Sequence, residues 1–250
     1  MLAALFDHGI RPDLLVGTSA GALNGAAVAF DPTPAGVERL AAVWCALDGT
    51  MVFTGGTLAL LRALVRRGLA VGHNDGLRRL LEQVAPGRTF EEALVPLHVV
   101  ATSLTTGSER WFSSGSLVEP LLASAALPAV YPPVAIDGEL YVDGGVIDNV
   151  PIGRAVELGA ARVFVCHVGN FERTRPTPRR PIDVLLQSWS VARNYRYLAD
   201  VRRPWPGVEV IVLPSIDPGP LRRNDFSHAA ALIARARATA SRALALPRAA

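Results

Sequence analysis

The sequence predicts an α/β fold in three layers, a mainly parallel central sheet covered by helices on both faces. Three observations carry that expectation. Short apolar runs of strand character alternate with helical patterns, and "LHVVATSL" (97–104), "ARVFVCHVG" (161–169) and "VEVIVLPS" (208–215) are continuous enough to be covered on both faces. The stretch "PDLLVGTSAGALNGAAVAF" (12–30) reads as strand, glycine turn and helix, the opening of a layered unit. A length of 250 residues, half of them apolar, suffices for one large core, so a single domain over 1–250 is expected.

The elements follow in order. "LAALFDHG" has helical apolar spacing and stops at Gly9, a residue suited to end a helix. "PDLLVG" is a short buried strand, and "SAGALNGAAVAF" is a helix of small residues that must lie close to its neighbours. Val37, Leu40, Ala41 and Trp44 recur at helical spacing over 34–48, and 57–67 is a further apolar helix. Asn74 is placed to cap a helix over 75–84. "LHVVATSL" then pairs with "ERWFSSG" as a hairpin, and "ARVFVCHVG" is expected as a central parallel strand. The Pro- and Arg-rich "ERTRPTPRRP" is a surface loop. It precedes a helix from Ile182 to about Val201, the strand "VEVIVLPS", and a last helix from about Ser227 to Leu246. No internal repeat is visible.

Composition narrows the function. The formal net charge is only +3 and every basic side chain is Arg, a pattern that tolerates anionic lipid but gives no reason to expect a nucleic-acid partner. Cys45 and Cys166 are too few for a disulfide framework or a cysteine metal cluster, so neither metal nor cofactor is expected. "MLAALFDHGI" lacks the basic start of a secretory signal. No apolar run reaches the roughly 18 residues of a spanning helix. A cytoplasmic location, peripheral at a membrane at most, is the expectation.

The chemistry centres on "VGTSAGALNG". Gly17 and Gly21 flank Ser19 in Gly-x-Ser-x-Gly spacing, which suits a nucleophile on a sharp strand-to-helix turn, since a side chain at either glycine is expected to crowd that turn. The helix behind it would aim backbone N–H groups, Ala20 first, at an anion forming on the serine. The plainer alternative is a helix-capping serine in a close-packed turn. A serine nucleophile needs a base. None of His8, His73, His98, His167 and His228 stands in a recognisable catalytic setting, and only sixteen residues precede Gly17, too few for the strands that come before the nucleophile in α/β-hydrolases. In "YVDGGVIDNVPI", Asp143 follows a short strand, and Gly144 and Gly145 let the chain turn so that its carboxylate can project. A carboxylate beside a serine in a partly dry site can act as base directly. Asp143 also reads as an ordinary turn residue, and Asp148 is a rival carboxylate suited to a turn or cap.

Three blocks together resemble the patatin-like phospholipases: "GTSAGALNGA" looks like the family's nucleophile elbow, "ASAALPAVYPPV" (123–134) like its Ser-x-x-x-Pro-x-x-x-Pro-Pro segment, and "YVDGGVIDNVPI" like its Asp-Gly-Gly block. "VVATSLTTGSERWFSSG" and "NDFSHAAALIARA" are weaker matches that extend the resemblance over most of the chain. The resemblance implies a patatin-like α/β/α sandwich and a serine acyl hydrolase, with Ser19 as nucleophile, Asp143 as its base, and neither histidine nor metal. It implies a phospholipid or other acyl-ester substrate met in transient contact with a membrane.

One family feature is missing: the glycine-rich loop ahead of the first helix that forms the oxyanion hole. Gly55 and Gly56 lie in the wrong place, and Gly9 begins the strand approach. In the family a strand precedes that loop and lies beside the nucleophile strand. Two expectations follow, a start about thirty residues upstream, the size of a strand and crossover, or a truncated, inactive homologue. A non-catalytic lipid-binding or interaction protein that keeps the fold is the second functional reading. An acyltransferase or thioesterase with the same dyad is a third reading. "LALLRALV" (58–65) and Trp111 are candidates for an acyl pocket or for core, and Arg66, Arg67 and the Arg173–Arg180 loop for head-group contact or solvated surface.

Overall fold

The computed structural model describes residues 1–47, 73–84, 87–128, 130–168, 177–179, 181–218 and 225–246. The expected helix over 57–67, the "LALLRALV" segment, Gly55, Gly56, Arg66, Arg67 and all of the Arg173–Arg180 loop except 177–179 lie outside them.

Local sequence accounts for most elements. Helix α1 (Leu2–Asp7) buries Ala4, Leu5 and Phe6 and ends before Gly9, whose φ of +73° is glycine's to adopt. Strand β1 (Leu15–Thr18) leads into α2 (Ala20–Phe30), whose alanines Ala22, Ala26 and Ala29 are buried. Helix α3 (Pro34–Ala46) opens with Pro at its first position, and Thr33 Oγ1 accepts the Gly36 N–H at 3.0 Å. Helix α4 (Asp75–Val84) begins after Asn74, whose carbonyl accepts the Arg78 N–H at 2.8 Å. Strands β2 (Leu97–Ser103) and β3 (Glu109–Phe112) form the expected hairpin, paired antiparallel with Val100 opposite Trp111.

Two helices were not expected, α5 (Val118–Ser124) and α6 (Ile152–Glu157). Every residue of α5 except Glu119 is buried, which erases the amphipathic period that would announce it. Between them lie β4 (Val134–Ile136) and β5 (Glu139–Asp143), joined through Asp137 and Gly138, both at positive φ, as a two-residue hairpin turn requires. The chain continues through β6 (Arg162–Val165), the 22-residue helix α7 (Pro181–Arg202), β7 (Glu209–Val212) and α8 (Ala229–Ala245).

The α/β architecture is met, and its pairing is mixed. β1–β2 and β6–β7 are parallel, whereas β2–β3, β2–β5 and β4–β5 are antiparallel. Side chains of Leu97, Val99 and Ala101 on β2 enter a core shared with α2, α4 and α5. The opposite face is covered by α6 and α7; Arg154 of α6 lies over the Trp111 ring at 5.3 Å.

One expectation is corrected. β6 is not a central strand of the main sheet; its ladder partner among the described residues is β7, in a separate two-stranded sheet. The continuous apolar run reports burial on two faces, not rank in a sheet. Val165 packs with Ile152 and Tyr197 on one side, and Phe164 with Leu5, Leu213 and Ala240 on the other. No helix among the described residues is long and apolar enough to cross a membrane.

Candidate active site

The ladder register assembles the site. β1 pairs with β2 from Leu15 opposite Leu97 to Thr18 opposite Val100, and β5 pairs with β2 from Asp143 opposite Ala101. β3 overlaps both ranges along β2, so it occupies one edge, and β1 and β5 share the other. They run towards each other and meet end to end. Ser19, one step beyond Thr18, therefore arrives beside Asp143.

Ser19 sits at φ 55°, ψ −128°, a conformation costly for any residue with a Cβ and a mark of a strained turn. Its N–H donates to Ser124 Oγ at 2.9 Å, and Ser124, at the end of α5, is fully buried. Its own hydroxyl lies on the side of the Asp143 carboxylate and favours the charged form of that group. The α2 N–H bonds that close the first turn are those of Ala22 and Leu23 to Ser19 O, so the N–H groups of Ala20 and Gly21 precede them at the exposed helix start.

Asp143 is 3% exposed. Burial pushes its carboxyl upward, opposed by the Ser19 hydroxyl, by the Gly145 N–H donating to Oδ1 at 2.8 Å, and by the charge of Arg193 on α7. Its backbone is fixed on both sides: its N–H donates to Ala126 O at 2.9 Å, and its carbonyl accepts from Thr102 Oγ1 at 3.1 Å. No histidine is among the groups acting on Asp143. His167 is buried and stacks on Tyr197 at 4.6 Å, and burial with the nearby Arg154 lowers the pKa of His98.

Of the glycines singled out, two are sterically required by backbone: a Cβ at Gly17 would stand 2.7 Å from Ala22 Cα, and one at Gly144 2.4 Å from Val100 O, whereas one at Gly145 would meet only side-chain atoms, Asn149 Oδ1 at 2.9 Å first. Gly21 is different. Nothing lies within 4 Å of its ideal Cβ, so the expectation that a side chain there would crowd the turn is corrected; the helix has already carried that position outward.

Trp111 borders a cleft of about 500 Å³ with Arg110, Phe112 and Glu119, and that cleft contains neither Ser19 nor Asp143. Sequence reading missed Thr18, Ser124, Arg193 and Arg196 as neighbours of the site. Ser124 lies inside a quoted motif, but the two arginines sit mid-helix with no local signal.

A family model described as patatin-like phospholipase matches residues 1–156. The chain is 32% identical over 176 residues to the patatin-like phospholipase domain-containing protein ZK370.4 of Caenorhabditis elegans, covering 70% of this chain and 13% of that protein. It is 30% identical over 201 residues to patatin-like phospholipase domain-containing protein 7 of Rattus norvegicus, covering 80% and 14% respectively. It is 26% identical over 204 residues to lysophospholipase nte1 of Aspergillus terreus, covering 82% and 13%. The chain thus spans 13–14% of the length of these three relatives. With the family model covering well over half of its length, the chain belongs to the patatin-like phospholipase family.

Proposed function

We propose that this chain is a lipid acyl hydrolase of the phospholipase A, lysophospholipase or esterase type, with Ser19 as nucleophile and Asp143 as base. The observation that carries the reading is the register that brings Ser19, on its positive-φ elbow, beside the end of β5, where Asp143 offers a carboxylate that is 3% exposed. Asp143 takes the hydroxyl proton as Oγ attacks the acyl carbonyl. The N–H groups of Ala20 and Gly21 at the start of α2 face the developing oxyanion. The proton returns from Asp143 to the departing alcohol, leaving an acyl ester on Ser19. Water then attacks that ester as Asp143 takes its proton, and Asp143 returns that proton to Ser19 Oγ as the C–O bond breaks, which releases the fatty acid and regenerates both serine and carboxylate.

Family membership and the relatives' names support a phospholipid or lysophospholipid substrate, met in transient peripheral contact with a membrane. Because burial raises the Asp143 carboxyl, activity holds above its folded pKa and is lost as pH falls through it.

The test is labelling by a fluorophosphonate probe, with hydrolysis of a short-chain aryl ester and a lysophospholipid. Ser19→Ala should abolish both, and Asp143→Asn should slow them by about 10²–10⁴-fold. Turnover surviving Ser19→Ala refutes the nucleophile assignment. Lipid binding with no turnover and no labelling indicates a binding protein instead, and acyl transfer to an added alcohol in preference to water indicates an acyltransferase.

A further inference from the structure

Asp148 stands on the turn that follows Asp143 and has no part in the steps above. Three elements converge on it. Its carbonyl accepts from Thr18 Oγ1 at 3.0 Å, the residue before Ser19. Its N–H donates to Gly144 O at 2.8 Å, the residue after Asp143. Its Oδ2 meets Arg196 Nη2 of α7 at 3.5 Å. One residue therefore touches the nucleophile strand, the turn bearing the base, and the helix lying over that turn.

Arg196 serves three acids at once: Asp148, Glu109 of β3 at 3.1 Å and Asp200 of α7 at 3.6 Å. One cation cannot neutralise all three. Asp148 is the most buried, with a side chain only 5% exposed, and its Oδ1 has no hydrogen-bond partner. An ion pair buried with an oxygen left unsatisfied costs stability. Burial pushes the Asp148 carboxyl up to about 6, against the pull of Arg196 and the Val150 N–H and with the push of Glu109 and Asp200. A cluster that costs stability at the hinge between nucleophile and base suits positioning better than bracing.

Resting on the Ser19–Asp143 reading, we infer that Asp148 and Arg196 are a positioning pair: ionised Asp148 draws α7 onto the turn and holds Asp143 against Ser19, and protonated Asp148 lets that clamp slacken. The groups facing Asp148 are Arg196 and Asp200 from α7 and Glu109 from β3, while Arg193, also from α7, acts on Asp143 itself.

The experiment measures fluorophosphonate labelling of Ser19 between about pH 4.5 and 8.5, with amide hydrogen exchange of residues 144–148, for wild type, Asp148→Asn, Arg196→Gln and Arg196→Lys. Asp148→Asn leaves Arg196 its two other acids, so the fold should hold and its Tm at about pH 8 should rise. Labelling should slow about tenfold, as a small displacement of a reacting group does, and the inflection near pH 6 should vanish. Arg196→Gln should move that inflection upward, because Asp148 keeps its burial and loses its cation, and Arg196→Lys should restore part of the rate. Turn amides should exchange faster in Asp148→Asn and Arg196→Gln. Labelling, pH profile and exchange all matching wild type in both variants would overturn the clamp. A lower Tm with unchanged labelling would also overturn it, in favour of a merely structural role. A wild type that never labels, while its turn amides respond to both substitutions, refutes the Ser19–Asp143 reading and supports the clamp.

Discussion

Gly144→Ala adds one methyl group beside the proposed base, and its effect can be worked from contacts. The new carbon would stand 2.4 Å from Val100 O, 2.7 Å from Val100 Cγ1 and 2.9 Å from Val100 C. A tolerable carbon–oxygen contact is about 3.3 Å, so one side must withdraw by about 1 Å. Val100 is fully buried and pinned by ladders to β1 and β3. The displacement therefore falls on the turn, and on Asp143 next to it. Overpacking of this kind costs about 1–3 kcal/mol, a Tm fall of several degrees for a chain of this size. A shift of about 1 Å in a reacting group costs about 100-fold in rate. Gly21→Ala is the matched control: its methyl meets nothing within 4 Å, and alanine in a helix is favoured by about 0.5–1 kcal/mol. Calorimetry and fluorophosphonate labelling of both variants decide the matter. Wild-type labelling in Gly144→Ala, or greater damage in Gly21→Ala, refutes the reasoning.

Further substitutions probe the same geometry. Ser19→Gly relieves the positive φ, so thermal unfolding should show a gain of about 1 kcal/mol alongside complete loss of labelling. Ser124→Ala removes the hydroxyl that accepts the Ser19 N–H; a loss of about 1 kcal/mol by urea unfolding and slower labelling are expected. Asp148 binds its proton more tightly folded than unfolded, so the stability it contributes is full below about pH 4 and lost as pH rises through about 6, a decline of about 3 kcal/mol for a shift from 3.8 to about 6. Asp148→Asn should lack that decline, and urea midpoints measured across this window test it.

How much of this was legible in the sequence depended on whether the signal was local. Helices α2, α3, α4, α7 and α8 fell within a few residues of expectation because their signals are written in adjacent residues, the small residues of α2, the Thr33 cap and Pro34 of α3 and the amphipathic spacing of α4 among them. Helix α5 was missed because burial on nearly all sides leaves no period to read, and α6 because six residues are too few. The elbow at Ser19 is local chemistry, a glycine that admits no Cβ followed by a turn into a helix, and was readable without a partner. The preference for Asp143 over Asp148 came with the Asp-Gly-Gly block and the family resemblance, since the pairing of Asp143 opposite Ala101 is not written in adjacent residues. Arg193 and Arg196 are ordinary surface arginines by sequence, and only the packing of α7 over the turn gives them neighbours.

The site gathers arrangements that folding alone would not favour: Ser19 at positive φ, and two carboxylates that are each 3% exposed. They are tolerated at the one place where β1 and β5 abut along β2. Strand ends interrupt the ladder, and side-chain hydroxyls take over its hydrogen bonds, Thr18 to the Asp148 carbonyl, Thr102 to the Asp143 carbonyl and Ser124 to the Ser19 N–H. β2 frames these bonds: Val99, Val100 and Ala101 are all fully buried, and ladders run along both of its edges. Strain at the junction is thus set by a rigid frame and not by local preference. It follows that substitutions should divide by location. Those that relieve the junction, such as Ser19→Gly and Asp148→Asn, should raise stability and lower labelling, whereas cavities cut into the frame, such as Leu122→Ala at about 2–5 kcal/mol, should lower both.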